Sequence, residues 1–286
     1  MTFSQNKKIS VVVPNYNYAK YLKGRIKSIL KQTYPIYELV ILDDKSSDES
    51  EIIIEAEIKK IKIRHPEIKV QFVKNEKNSG KAMAQWKKGF ELATGDFVWI
   101  AEADDLSSRR FLEEAMKGFD NPEVVLSYTE SAIINGYGMM LAPNFRWSRD
   151  KEKTGHYKNS YIKDGEKEIE EIMAIRCTIP NVSGVVFKND RKYLKYFDEA
   201  LRFTQVGDWY FYVKVLENGK ISYNRKSLNK FRVHGGSVTN NAKRTKLHYK
   251  EIVSMHRYFI KNYNLFDTVK SKIKDEENKI KERLGL

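Results

Sequence analysis

The sequence predicts an α/β fold: a mostly parallel sheet flanked by helices, with a helical extension at the C-terminal end. Short apolar, β-branched runs alternate with helix-period stripes from Ile9 to Ala101, which is the signature of βαβ units. Each of the best-defined runs ends in a polar or acidic cluster, and in open α/β sheets that end of the strand borders the ligand crevice.

In order, Ile9–Val13 reads as the first buried strand, ended by Pro14. Leu22, Ile26, Ile29 and Leu30 then recur at helical spacing. Leu39–Leu42 is the second strand, and Glu51–Ile63 the next helix. Val70–Val73 is a third strand, and Ala82, Trp86 and Phe90 form the stripe of a third helix. Phe97–Ala101 is the fourth strand, and a helix is expected to begin near Ser108. Further strands are expected at Val124–Tyr128, Val182–Phe187, Lys220–Tyr223 and Leu228–Val233, with a helix after Asp208. Residues Asn135 to Gly165 carry no clear period and read as a long excursion. From about Thr245 the chain reads as helical, with His256 on an apolar stripe as a packing residue.

Composition narrows the class. A hydrophobic content of 41% with 12% aromatics excludes a disordered chain. No run approaches the roughly 18 apolar residues of a membrane span. The N-terminal residues lack the apolar core of a signal peptide, and the single cysteine, Cys177, excludes an internal disulfide framework. Both point to the cytoplasm. The net charge of +14 is concentrated: Gly219–Lys250 holds nine Lys/Arg and no Asp or Glu. Such a block suits an anionic partner or a solvated basic face. A nucleic-acid or anionic-surface binding module would use that block, but the carboxylates at two successive strand ends would repel a polyanion. Walker A and dinucleotide glycine motifs are absent, which disfavours those nucleotide enzymes.

The acidic cluster Glu102-Ala103-Asp104-Asp105 follows the fourth strand directly. Carboxylates this close repel one another and lose hydration unless a cation joins them. Hard oxygen ligands suit Mg²⁺ or Mn²⁺, which commonly bind phosphates as well. The plainer alternative is that Asp105 or Ser107 caps the following helix. The turn Pro14-Asn15-Tyr16-Asn17-Tyr18 could hold a flat heterocycle, and Asp43 or Asp44 could accept an N–H from its edge, while Ser47 or Asp48 caps the next helix. Asp208, at a helix start, reads equally as an N-cap or a catalytic base.

Taken together, Val-Val-Val-Pro-Asn-Tyr-Asn, Leu-Asp-Asp-Lys-Ser-Ser-Asp, Asn78-Ser79-Gly80-Lys81, Ala93-Thr94-Gly95-Asp96, Ala-Glu-Ala-Asp-Asp, Gly207-Asp208-Trp209 and Arg232-Val233-His234-Gly235-Gly236-Ser237 form an ordered set. This set, covering about Ile9 to Thr239, resembles the family 2 inverting glycosyltransferases, which have the GT-A-type Rossmann-like fold. The resemblance implies a donor nucleoside diphosphate sugar bound by Pro14, Asn15, Tyr16, Asp44, Lys81 and Asp104, with Tyr16 stacking on the base and Asp44 accepting its N–H. It implies Mn²⁺ or Mg²⁺ held by Asp105 directly, with Asp104 and His234 nearby, and Asp208 as catalytic base. Two departures stand out: Glu102 replaces a common Asp, and Gly207 replaces an acid before Asp208. A sugar-nucleotide pyrophosphorylase, the nearest enzymatic alternative, would carry a glycine-rich basic loop after the first strand, where this chain has Pro-Asn-Tyr-Asn-Tyr-Ala-Lys.

The organisation expected from this resemblance is a transferase domain over residues 1–240, with a nucleotide-binding half at 1–106 and an acceptor-binding half at 107–240. A basic helical extension follows at 241–286. The acceptor is expected to be a glycan or lipid-linked glycan, with peripheral contact to an anionic membrane at its inner face and no nucleic acid. Donor sugar, base, linkage and oligomeric state have no readable code in the sequence.

Overall fold

The computed structural model describes residues 7–146, 155–235 and 246–285. Strand β1 (Ile9–Asn15), helix α1 (Ala19–Leu30), β2 (Glu38–Asp43), α2 (Ser50–Arg64), β3 (Lys69–Lys74), α3 (Ala82–Leu92) and β4 (Phe97–Ile100) alternate as expected. The short strand β5 (Leu106–Ser107) and helix α4 (Phe111–Met116) lead into β6 (Val124–Asn135) and β7 (Met140–Ala142). Then come β8 (Tyr161–Asp164), a helical turn α5 (Gly165–Glu168), β9 (Val185–Lys188), α6 (Tyr193–Ala200) and α7 (Gly207–Leu216). Strand β10 (Lys220–Val233) and helices α8 (Lys246–Asn262) and α9 (Asp267–Leu284) complete the described chain.

The strands form one sheet in the order β3-β2-β1-β4-β9-β6-β10-β5, with β7 on β6 and β8 on β10. Pairings among β1 to β4 are all parallel. The sheet becomes mixed beyond β4, because β9 enters antiparallel to both β4 and β6. Alternation along β1 separates two apolar layers. Ile9, Val11 and Val13 face α1, α2 and α4, while Val12 faces the layer built from α3, α6, α7 and the C-terminal helices. Helix α3 lies close on β1: a Cβ added at Gly89 would sit 2.4 Å from Val12 Cγ1, so only glycine permits that approach.

Three expectations need correction. The helix foreseen near Ser108 begins at Phe111, and neither Asp105 nor Ser107 caps it; Ser107 Oγ instead accepts from Arg25. Lys220–Tyr223 and Leu228–Val233 are one strand, because β10 crosses the polar Asn224–Ser227 stretch through register shifts against β6. The Asn135–Gly165 excursion contains β7 and β8, strands of three and four residues that are too short to show a period. His256 is the packing histidine expected: it is buried between Glu277, at 2.8 Å, and the Ile175 carbonyl, at 3.1 Å.

The C-terminal helices contribute Met255, Phe259, Val269 and Ile273 to the same core as α7, so they are packed onto the sheet layer. On the opposite side, Glu114 of α4 is buried. Its desolvation is outweighed by hydrogen bonds from Lys117, Lys226 and Asn224, which hold the carboxyl down to about 2. A depressed carboxyl contributes stability above its unfolded value, and that stability is lost as pH falls toward the folded value. We therefore expect Glu114→Gln to be less stable than the parent at neutral pH, with the gap closing between about pH 4.5 and pH 2. Chemical denaturation at a series of pH values reads this directly; a gap constant down to pH 2 would contradict it.

Candidate active site

Three side-chain clusters converge at the carboxyl ends of β1, β2 and β4. The first is the turn after β1. Asn15 is buried and donates to Asp43 Oδ1 (2.8 Å) and Ser46 Oγ (3.1 Å), which locks the ends of β1 and β2 together. Asn17 takes a left-handed φ of 57° and accepts from the Ser47 N–H at 2.7 Å. This turn, begun by Pro14, leaves the Tyr16 ring about half exposed at the crevice edge. Asp48 serves two helix starts, accepting from Ala19 N at 2.9 Å and Ser50 N at 3.0 Å.

The second cluster surrounds Asp44. Its carboxylate accepts from Asn75 Nδ2 (2.6 Å), Ser79 N and Oγ (2.9 and 2.7 Å) and Gln85 Nε2 (2.9 Å). Asp44 is therefore satisfied within the chain and organises the 75–79 loop; accepting a base N–H would require Ser79 or Asn75 to yield. Lys81 reaches away from this loop, donating to the Leu201 carbonyl at 2.5 Å.

The third cluster is acidic. Asp104 Oδ2 lies 3.0 Å from His234 Nε2, and its backbone carbonyl accepts from Arg232 Nε at 2.5 Å. Tyr18 meets the His234 ring edge-on at 5.5 Å, and Tyr21 sits 5.2 Å from it with the Arg232 guanidinium 4.6 Å over its own ring. Asp105 is buried and turned inward; its Oδ1 accepts the Arg232 backbone N–H at 2.8 Å. Glu102 accepts from Trp86 Nε1 at 2.6 Å. Burial, reinforced by the negative charge of Asp104, pushes Glu102 up to about 8 and Asp105 up to about 7.

Behind the acids lies a cation that the sequence reading missed. Arg25 of α1 is fully buried, stacks 4.9 Å over Trp99 and donates to Ser107 Oγ at 2.8 Å. Its Nε and Nη2 have no hydrogen-bond partner among the described residues. Desolvation pulls it down to about 10, opposed by Asp105, Asp104 and Glu102. The signal was present: Arg25 falls on the Leu22/Ile26/Ile29 stripe, where a charge needs a reason.

Asp208 stands in the first turn of α7, and the N-cap position is Val206, so the capping alternative does not apply. Its Oδ1 accepts from Trp209 N at 2.8 Å. The N–H groups just before α7 are taken instead by Glu251 of α8, which accepts from Thr204 and Gln205 (2.8 Å each) and Val206 (3.2 Å). The start of α3 touches both strand-end clusters and the start of α7: Gln85 binds Asp44, Trp86 binds Glu102, and Met83 packs beside Gly207. A Cβ at Gly207 would lie 3.0 Å from the Ala200 carbonyl, a close approach that glycine relieves.

The donor set suits a hard divalent cation only in part. Asp104 and His234 converge, and Asp105, expected as the direct ligand, is buried beside them with its Oδ1 accepting the Arg232 N–H. Among the described residues no three His, Cys, Asp or Glu side chains come together as a complete ligand group. Mg²⁺ and Mn²⁺ are commonly held by one or two side chains with substrate phosphates supplying the rest, and the Asp104/His234 pair fits that pattern. Of the His234-Gly235-Gly236-Ser237 motif, Gly236 and Ser237 lie outside the described residues, as do Lys243 and Arg244 of the basic block.

Comparison with known proteins places this geometry in a class. The model of glycosyl transferase family 2 matches residues 10–170, and the chain belongs to that family. Its fold is the GT-A type. Staphylococcus aureus TarS residues 1–349, solved in complex with UDP-GlcNAc, superposes with a TM-score of 0.67 at 22% identity, covering 96% of this chain and 72% of that one. A mannosyltransferase from Pyrobaculum calidifontis, in complex with GDP-Man and Mn²⁺, gives 0.64 at 17% identity over 97% of this chain and 72% of that one. Among sequence relatives, the putative teichuronic acid biosynthesis glycosyltransferase TuaG of Bacillus subtilis is 25% identical over 87% of this chain and 89% of its own length. An uncharacterized glycosyltransferase of Nostoc is 37% identical over 45% of this chain; the chain spans only 38% of that relative's length. It spans 33% of GlyG of Streptococcus pneumoniae, which is 35% identical over 37% of this chain. No helix among the described residues is long and apolar enough to cross a membrane.

Proposed function

We propose that this protein transfers a sugar from a nucleoside diphosphate sugar to a hydroxyl group of a glycan or lipid-linked glycan, with inversion at the anomeric carbon. The observation that carries the reading is the pairing of Asp104 with His234 at the exit of β4, beside Glu102 and the buried Asp105. Family membership supports it, as do the nucleotide-sugar complexes of the two structural neighbours.

In this reading Pro14, Asn15 and Asp43 fix the turn that presents Tyr16 to the base. Asp44 holds the Ser79 loop beside it, and Lys81 ties that loop to the segment before Asp208. Asp104 and His234, with Asp105 fixing the strand end, would hold Mn²⁺ or Mg²⁺, which would supply positive charge to the leaving diphosphate. Asp208 accepts the proton of the acceptor hydroxyl as its oxygen bonds to the anomeric carbon. The bond from that carbon to the diphosphate oxygen breaks on the opposite face, and the configuration inverts.

TuaG is named for teichuronic acid biosynthesis, and the relative TarP of S. aureus is named as a poly(ribitol-phosphate) beta-N-acetylglucosaminyltransferase. A net charge of +14 favours the same kind of acceptor, an anionic surface polysaccharide assembled on the cytoplasmic side of a membrane. Residues 1–106 would then serve the nucleotide, residues 107–240 the acceptor, and residues 241–286 the anionic surface.

A thermal-shift panel of UDP-GlcNAc, UDP-glucose and GDP-mannose, each with and without Mn²⁺, tests the donor reading. One donor is expected to raise the melting temperature in a concentration-dependent way, and more strongly with Mn²⁺. No shift with any nucleotide sugar would contradict it.

A further inference from the structure

Beside the acidic corner, the β6–β7 hairpin raises an apolar tip that the transfer reaction leaves unexplained. From Ser131 to Phe145 the chain carries no charged residue, although 31% of the whole sequence is charged. Tyr137 is 86% exposed, Met139 61%, and Met140 and Leu141 60% each. The turn is firmly built. Asn135 Oδ1 accepts from Tyr137 N (2.9 Å) and Met139 N (3.0 Å), and its carbonyl accepts from Gly138 N (2.9 Å). Gly138 supplies the positive φ of 88° that the turn requires. Exposed apolar groups on a pre-ordered turn are a standing cost in water, so a surface to cover them is expected.

The charge around the tip indicates which surface. Lys20 Nζ sits 5.2 Å over the Tyr137 ring and 5.4 Å over Tyr21, placing an ammonium at the level of the aromatic ring. A lysine beside tyrosine, with methionine and leucine beyond, matches the boundary between anionic headgroups and acyl chains. The strand β7 is three residues long, which offers little edge for pairing with a second copy. The tip also adjoins the site, since Arg232 Nη1 donates to the Asn135 carbonyl at 2.9 Å and Gly136 lies against His234.

We propose that the Tyr137–Leu141 tip docks into the interface of an anionic bilayer, with Lys20 at the headgroup level, and so turns the Asp104/His234 corner toward acceptors carried on that membrane. The proposal gives a specific contact to the membrane association proposed above and rests on that reading.

Co-sedimentation of the full chain with phosphatidylglycerol/phosphatidylcholine (1:1) vesicles tests it without any donor or acceptor, so the outcome is independent of the transfer reaction. The parent is expected to pellet with these vesicles at least tenfold more strongly than with pure phosphatidylcholine. Met139→Ser/Met140→Ser/Leu141→Ser should reduce pelleting at least tenfold with an unchanged melting temperature, and Lys20→Glu should reduce it in the same direction. Equal pelleting of the triple variant would overturn the proposal, as would a parent that ignores the anionic vesicles. A parent that is dimeric in solution, and becomes monomeric in the triple variant, would equally overturn it by assigning the tip to a second copy.

Discussion

Replacing Asp208 by Asn is expected to lower transfer by a factor of about 10² to 10⁴, the usual range for losing a general base. The amide keeps the size and first-turn position of Asp208, and it can still accept from Trp209 N through its oxygen. What it loses is the ability to take a proton from an attacking hydroxyl. The donor site proposed above lies at the ends of β1, β2 and β4, so stabilisation by the nucleotide sugar should persist in the variant. Turnover comparable to the parent would remove Asp208 from the mechanism. Loss of donor stabilisation together with turnover would instead mean that the residue supports donor binding.

The second large effect is expected at Glu251. Three backbone N–H groups ahead of α7 converge on this one buried carboxylate, at the end of the helix where negative charge is favoured. Removing it in Glu251→Ala leaves those donors without their acceptor, each at a cost of about 1–3 kcal/mol. Some relaxation toward water will return part of this, so a net loss of about 3 kcal/mol is expected in chemical denaturation. Glu251→Gln retains one acceptor oxygen and should recover part of the stability. Transfer should fall in both variants, because the start of α7 carries Asp208. A Glu251→Ala protein as stable and active as the parent would show that the C-terminal helices merely cover the core.

Much of this architecture was legible because burial is written into the sequence as unbroken β-branched runs. β1, β2 and β4 are fully buried and were located to within a residue or two at each end. β7 and β8 were not, since strands of three and four residues are too short to show a period, and the apolar run of β7 is exposed rather than buried. β10 was split in two because Asn224, Arg225 and Lys226 have the composition of a turn, whereas the pairing with β6 carries the chain through as an irregularity. Local composition cannot reveal a partner strand some hundred residues away.

The same distinction holds at the site. The acids of Glu102–Asp105 were conspicuous because charge at the end of a buried strand violates the ordinary distribution of residues. The saturation of Asp44 was hidden, since its partners Asn75, Ser79 and Gln85 come from another loop and helix. The Arg232 N–H that meets Asp105 Oδ1 comes from β10, more than a hundred residues away, and was equally invisible in the sequence. Arg25 and Glu251 each border an apolar stripe, so their unusual position was visible but their partners were not.

The central claim is that Asp104 and His234 form the corner where a cation and the donor diphosphate meet. A crystal of the protein soaked with UDP and Mn²⁺, measured for manganese anomalous scattering, addresses it directly. One anomalous peak is expected within coordination distance of the Asp104 carboxylate or the His234 imidazole, beside the UDP diphosphate, with the uracil against Tyr16. Manganese and UDP bound together at another place in the fold, with Asp104 and His234 still paired to each other, would contradict it.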